Sequence, residues 1–70
     1  MIDLTKWNDA IENFKGIYPE EKTIAPVCLN ETGTGLVIRV ADGGYFTISD
    51  TVISRYFTNI NYAKRYDTSW

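Results

Sequence analysis

The spacing of apolar residues along this chain changes character twice. Leu4, Trp7, Ile11 and Phe14 recur at intervals of three and four, and Lys6, Asn8, Asp9, Glu12, Asn13 and Lys15 fill the positions between. That spacing places the apolar set on one stripe of a helix. A helix is therefore predicted over Asp3 to Lys15. Asp3 or Thr5 can cap its start, and Gly16 offers a left-handed stop. Trp7 and Phe14 are expected to anchor the core. The connector from Ile17 to Lys22 contains Pro19, which ends a helix, and the solvated pair Glu20-Glu21.

From Thr23 the period shortens. Thr23 to Leu29 reads as a first strand, and Pro26 predicts that it lies at a sheet edge or is broken there, because proline has no N–H to give the ladder. Asn30 to Gly35 is a polar turn. Leu36-Val37-Ile38-Arg39-Val40 and Tyr45-Phe46-Thr47-Ile48 are rich in β-branched and aromatic side chains and flank Asp42-Gly43-Gly44. A two-residue loop would pair Val40 with Tyr45 and put Phe46 and Ile48 on the face of Arg39. A three-residue loop, Asp42-Gly43-Gly44, would pair Val40 with Phe46 and Ile38 with Ile48, with Arg39 opposite Thr47 and Ala41 opposite Tyr45. Only the second register separates an apolar face from a polar one. It predicts a left-handed Gly44 and a slim tip carrying the Asp42 carboxylate.

Beyond the hairpin, Ile53, Phe57 and Ile60 return to intervals of four and three, with Val52 and Tyr56 alongside. A second helix is expected from about residue 51 into the low 60s, capped by Ser49 or Asp50. Thr58, Asn59 and Asn61 are poor helix formers, so a break near Thr58 and a short helix over Tyr62 to Tyr66 are the alternative. The tail through Trp70 is expected to fray unless Trp70 docks. The expected fold is thus a single α+β domain over residues 1–70, a three-stranded antiparallel meander flanked by an N-terminal and a C-terminal helix. Val40, Ile38, Phe46 and Ile48 would meet Trp7, Ile11, Phe14 and Phe57. Arg39, Thr47, Tyr45 and Val37 would form a face open to water or to a partner.

Composition narrows the chemistry. The chain has 70 residues, 44% of them apolar and 14% aromatic, with a formal net charge of −2. A core this small is marginal, and two Trp, five Tyr and three Phe enlarge it. There is no histidine, which removes the commonest general base and metal ligand. Cys28 is the sole cysteine and sits in an apolar run, so it reads as a small hydrophobe, with neither a disulfide nor a cysteine metal site expected. No phosphate loop, nucleophile elbow or paired-carboxylate motif occurs. The expectation is a non-enzymatic protein without cofactor or metal. Negative net charge argues against direct nucleic-acid binding and favours a basic partner. No apolar run approaches the roughly 18 residues of a membrane span, and no basic-flanked apolar leader opens the chain, so a cytoplasmic, membrane-free protein is expected.

The stretch GLVIRVADGGYFTIS, followed by DTVISRYF and a tyrosine-rich segment, resembles the small phage-encoded anti-CRISPR proteins that inhibit Cas9, of the compact α-β-β-β-α type that mimics PAM DNA. The similarity covers roughly residues 35 to 62. It rests on Leu36, Ile38, Arg39 and Val40, on the Asp42-Gly43 tip, on Tyr45, Ile48 and Ser49, and on Val52, Ile53 and Phe57 as residues of the second helix. It implies an inhibitor that occupies the arginine-rich PAM-reading site of a CRISPR-Cas effector. Where that family carries an acidic cluster after the second helix, this chain has Tyr62-Ala63-Lys64-Arg65-Tyr66-Asp67, with only Asp67 acidic. The expected partner-binding residues are Asp42, Gly43, Gly44, Tyr45, Glu31, Tyr62 and Asp67. Glu31, Asp42 and Asp67 would meet basic groups, and Tyr45 and Tyr62 would supply contact area.

Two other readings stand beside this one. Arg55, Tyr62, Lys64, Arg65, Tyr66 and Trp70 interleave basic and aromatic residues as single-strand nucleic-acid binders do. An open sheet face or unpaired edge strand would alternatively suit a homo-oligomerising structural module. A monomer or weak dimer is expected.

Overall fold

A computed structural model describes residues 4–21 and 23–68. The order is α1 (Asn8–Ile17), β1 (Ile24–Leu29), β2 (Leu36–Val40), β3 (Tyr45–Ile48) and α2 (Ile60–Arg65). The strands form one antiparallel sheet in the order β1-β2-β3. This is the expected α+β arrangement, with a helix before and a helix after the meander.

The first helix begins later and ends later than its sequence spacing suggests. Residues 4–7 form a turn, closed by the Trp7 N–H on the Leu4 carbonyl at 3.1 Å, and no side chain caps the helix at Trp7. Asp3 lies outside the described residues. Leu4 is 48% exposed, so the buried stripe runs through Trp7, Ala10 and Phe14, with Ile11 half-buried. Gly16 is helical rather than left-handed. The extra residues carry the chain to Tyr18, whose ring lies 5.0 Å from that of Phe14 and 5.3 Å from that of Phe46. Pro19 then stops it.

Pro26 does what its missing donor dictates. β1 is an edge strand, and its pairing with β2 slips between Pro26 and Cys28 in a β-bulge. Beyond the slip Cys28 packs toward Val37, whereas Ile24 packs toward the α1 side.

The hairpin loop has the predicted length but not the predicted residues. Ile38 pairs with Phe46 and Arg39 with Tyr45, so the loop is Ala41-Asp42-Gly43. The Gly43 N–H reaches the Val40 carbonyl at 3.0 Å, and Gly43, not Gly44, is left-handed with φ of 90°. The register is displaced by two residues, and an even displacement leaves every side chain on its expected face. Gly44 is fixed instead by space: a Cβ there would stand 2.1 Å from the Tyr56 ring.

The segment 51–59 is not helical, so Val52, Ile53 and Phe57 do not lie on a second helix. Ile53 and Phe57 bridge antiparallel to Ile48 and Tyr45. Tyr45 and Phe57 exchange both backbone hydrogen bonds, at 2.7 and 2.9 Å. Ser49 does cap, but it caps the turn into this segment, its Oγ accepting from the Val52 N–H at 3.0 Å. Two causes act together. Thr51, Val52, Ile53 and Thr58 are β-branched and disfavour helix. The outer edge of β3 also needs partners for its N–H and C=O groups. A helix then forms only at Ile60–Arg65, started by the Asn59 side chain accepting from the Asn61 N–H at 2.9 Å.

This second helix covers the face expected to be open. Val37 and Thr47 are fully buried there, with Phe57, Ala63 and the half-buried Cys28, Tyr45, Ile60 and Tyr66 around them. Thr47 donates its hydroxyl to the Ala63 carbonyl. Phe57 belongs to this cluster and not to the α1 side. The main core, on the other face, joins Trp7, Ala10 and Phe14 to Leu36, Ile38, Val40, Phe46 and Ile48.

Asn30 ties the C-terminal tail to the β1–β2 turn. It is 5% exposed, and its Oδ1 accepts from the N–H groups of Thr34 and Gly35 at 2.9 and 3.0 Å. Its Nδ2 donates to the Tyr66 carbonyl at 2.9 Å. Asn30→Ala leaves these groups without their partner and is expected to cost about 2–4 kcal/mol in urea unfolding, since each orphaned buried group costs about 1–3 kcal/mol. Asn30→Asp keeps the acceptor for Thr34 and Gly35 but sets a carboxylate oxygen against the Tyr66 carbonyl, so it should also destabilise. Phe14→Ala is expected to cost about 3–5 kcal/mol, a large share of the stability of a domain this size, and circular dichroism at rising temperature reads the loss.

Candidate functional site

The hairpin tip is the most strongly shaped exposed feature that the sequence singled out. Asp42 is exposed, Gly43 half-buried and Gly44 buried. The Asp42 carboxylate is not bare. Its Oδ1 accepts from the Gly44 N–H at 3.1 Å, and the Tyr56 hydroxyl lies within hydrogen-bonding reach of it. The Tyr56 ring crosses Gly44 and meets Phe46 edge-on at 5.6 Å, and Phe46 meets Phe14 edge-on at 5.0 Å. A chain of rings thus connects the tip to α1. Arg39 runs along the other side of the tip, its Nη2 3.9 Å from where a Gly43 Cβ would stand. Loss of water around the phenol, the hydrogen bond to Asp42 and the negative charges of Asp42 and Glu21 all hold Tyr56 above the ordinary tyrosine range.

The other expected contact residues do not gather around this tip. Tyr45 is half-buried and turned to the α2 side, against the Phe57 cluster. Tyr62 projects from α2, 61% exposed, and with Arg55, Tyr56, Phe57 and Thr58 lines an open cleft of about 300 Å³. Glu31 sits at the far end of the sheet, separated from Asp42 by the length of β2, roughly 17 Å at about 3.4 Å per residue. There its N–H donates to the Lys64 carbonyl at 2.8 Å and its carboxylate faces Arg65 at 3.9 Å. Both partners are exposed, so that pair contributes at most about 1 kcal/mol. Asp67 is exposed and follows Tyr66, whose carbonyl Asn30 holds. The acids are therefore spread over both ends of the sheet and form no single anionic surface.

A wider groove of about 580 Å³ lies beside Lys6 and Trp7. Three of its hydroxyls are engaged: Thr34 with Thr68 at 3.0 Å, and Ser49 with the N–H of Val52. Among the described residues no three His, Cys, Asp or Glu side chains converge as metal ligands. Cys28 is half-buried in the α2-side cluster.

Tyr56 and Arg39 are the tip residues that sequence reasoning did not assign. One signal was present: a three-residue loop uses one left-handed glycine, so the second glycine of Asp42-Gly43-Gly44 required a close neighbour. Gly44→Ala cannot coexist with the Tyr56 ring and should free it, seen as loss of Tyr56 ring contacts to Phe46 in NMR. Asp42→Asn removes a charge that disfavours the phenolate, so Tyr56 should titrate at lower pH than in the parent. Because the raised phenol favours the folded state only while protonated, its contribution is present below pH ~10, the ordinary tyrosine value, and is lost as pH rises through the native value. No protein family, no curated protein and no solved structure matches the chain.

Proposed function

We propose that this protein is a non-catalytic inhibitor of the anti-CRISPR type, which binds a CRISPR-Cas effector and blocks nucleic-acid recognition or cleavage. The observation that carries this reading is the hairpin tip: an exposed carboxylate held by the Gly44 N–H, at the end of a ribbon tied to the core by edge-on ring contacts. A group ordered before binding loses little side-chain freedom on docking, which is where small binders gain affinity. The choice of effector comes from the sequence resemblance over residues 35–62, with Cas9 the first to test. Absence of histidine and of any catalytic motif supports a role by occupancy rather than by chemistry. The separation of Glu31 and Asp67 from the tip favours a single-point insertion of Asp42 into a cationic hollow over an extended imitation of duplex phosphates. Such an inhibitor would be phage-borne and act inside a bacterial host.

Reversing the charge at the tip should separate binding from folding. Asp42→Lys is expected to weaken inhibition in a reconstituted DNA-cleavage assay by about tenfold or more, since a desolvated charge contact at an interface is worth about 1.4 kcal/mol or more. The domain should stay folded, with an unfolding midpoint lowered by no more than the lost Gly44 N–H acceptor costs, about 1–3 kcal/mol. Full inhibition by Asp42→Lys, or no protection from any of a panel of purified effectors at stoichiometric excess, would overturn the proposal.

A further inference from the structure

Cationic and aromatic side chains meet on the α2 side of the sheet in a way net charge conceals. Across the α2 side of the sheet, Arg39 pairs with Tyr45 and Tyr45 bridges to Phe57. The guanidinium of Arg55 lies over the Phe57 ring, 5.4 Å from its centroid. Adjacent strands are about 4.8 Å apart, so Arg39, Tyr45 and Phe57 occupy neighbouring positions across the sheet, with Arg55 over the last ring. Arg39 and Arg55 are exposed and Tyr45 is half-buried; Arg39 pairs on its other side with the small Ala25, and its guanidinium reaches toward Gly43. α2 covers Val37 and Thr47 beside this row and adds the exposed Tyr62, which lines an open cleft with Arg55. Arg65, at the far end of the same helix, faces Glu31 instead.

We propose that this row is a binding surface for a single-stranded nucleic-acid segment. The two guanidinium groups would take backbone phosphates, and Tyr62 and Tyr45 would stack with bases. Charge complementarity selects a polyanion. Rings set among the cations select one that also carries flat faces, because stacking is available to every base and an acidic peptide would use the charges alone. This departs from the expectation, drawn from the overall charge of −2, that no nucleic acid is bound. Part of that negative charge stands elsewhere: Asp9 and Glu12 are on α1, across the sheet, and Glu31 faces Arg65.

The surface is distinct from the side of the tip where Tyr56 meets Asp42, and its test contains no effector, so its failure and that of the inhibitor reading are independent. Fluorescence anisotropy of labelled oligo-dT and oligo-rU of about ten nucleotides, a length suited to a small single-strand site, reads binding directly. With two phosphate contacts the affinity should fall about sevenfold between about 50 and 200 mM salt, the slope being near −0.7 per contact. Arg55→Glu and Tyr62→Ala, both at exposed positions, are each expected to weaken binding about fivefold or more, in line with the stacking and charge losses typical of such sites. Asp9→Asn, on the opposite face, should leave binding unchanged. Absence of binding at about 50 mM salt, insensitivity to salt, or indifference to both Arg55→Glu and Tyr62→Ala overturns the assignment. So does displacement of the oligonucleotide by polyglutamate as effectively as by unlabelled oligonucleotide, which would reassign the row to an acidic protein segment.

Discussion

Burial of β2 from both sides governs this structure. Leu36, Val37 and Ile38 are consecutive and none is accessible to solvent. Consecutive strand residues point to opposite faces, so a sheet with such a strand at its centre must be covered twice. α1 supplies one cover through Trp7, Ala10 and Phe14. The other has to be made from the chain after β3, and only residues 49 onward are available for it. The chain solves this with an extended segment that pairs with β3 and then a short helix that drops Ala63 onto Val37 and Thr47.

The second cover is thin, and the polar contacts that hold it are correspondingly specific. A six-residue helix has little stability of its own. It is kept in place by the Thr47 hydroxyl on its last turn, by Asn30 on the Tyr66 carbonyl and by the Glu31 N–H on the Lys64 carbonyl. Where such bonds are buried, their loss leaves groups without water. The surface Glu31–Arg65 pair contributes far less. Among the described residues no buried side-chain polar atom is left without a partner, as a small core demands.

The same segment that closes the sheet also builds both candidate surfaces. Residues 55–57 follow the rough alternation of a strand. Tyr56 turns to the α1 side, where it covers Gly44 and reaches Asp42, while Arg55 and Phe57 turn to the α2 side. Had this stretch been helical, Tyr56 would not lie across the tip and Arg55 would not sit in line with Arg39. Two surfaces of opposite character arise from one strand-like stretch because its neighbours in sequence are not neighbours in space.

Local pattern alone was enough for the element order, the edge position of Pro26, the division of the hairpin into two faces and the exposure of Asp42. Each depends on short-range physics: the missing proline donor, the period of two in a strand, and the left-handed freedom of glycine at a tight turn. Intervals of three and four at Ile53, Phe57 and Ile60 misled because a helix and a pair of bridged strand positions can bury the same residues. What decided between them was the unpaired edge of β3, whose groups reach Ile53 and Phe57 only once the chain has turned back on itself. The exact loop residues, the role of Gly44 and the row from Arg39 to Arg55 were likewise settled by tertiary contact, because each rests on a side chain that arrives from a different element.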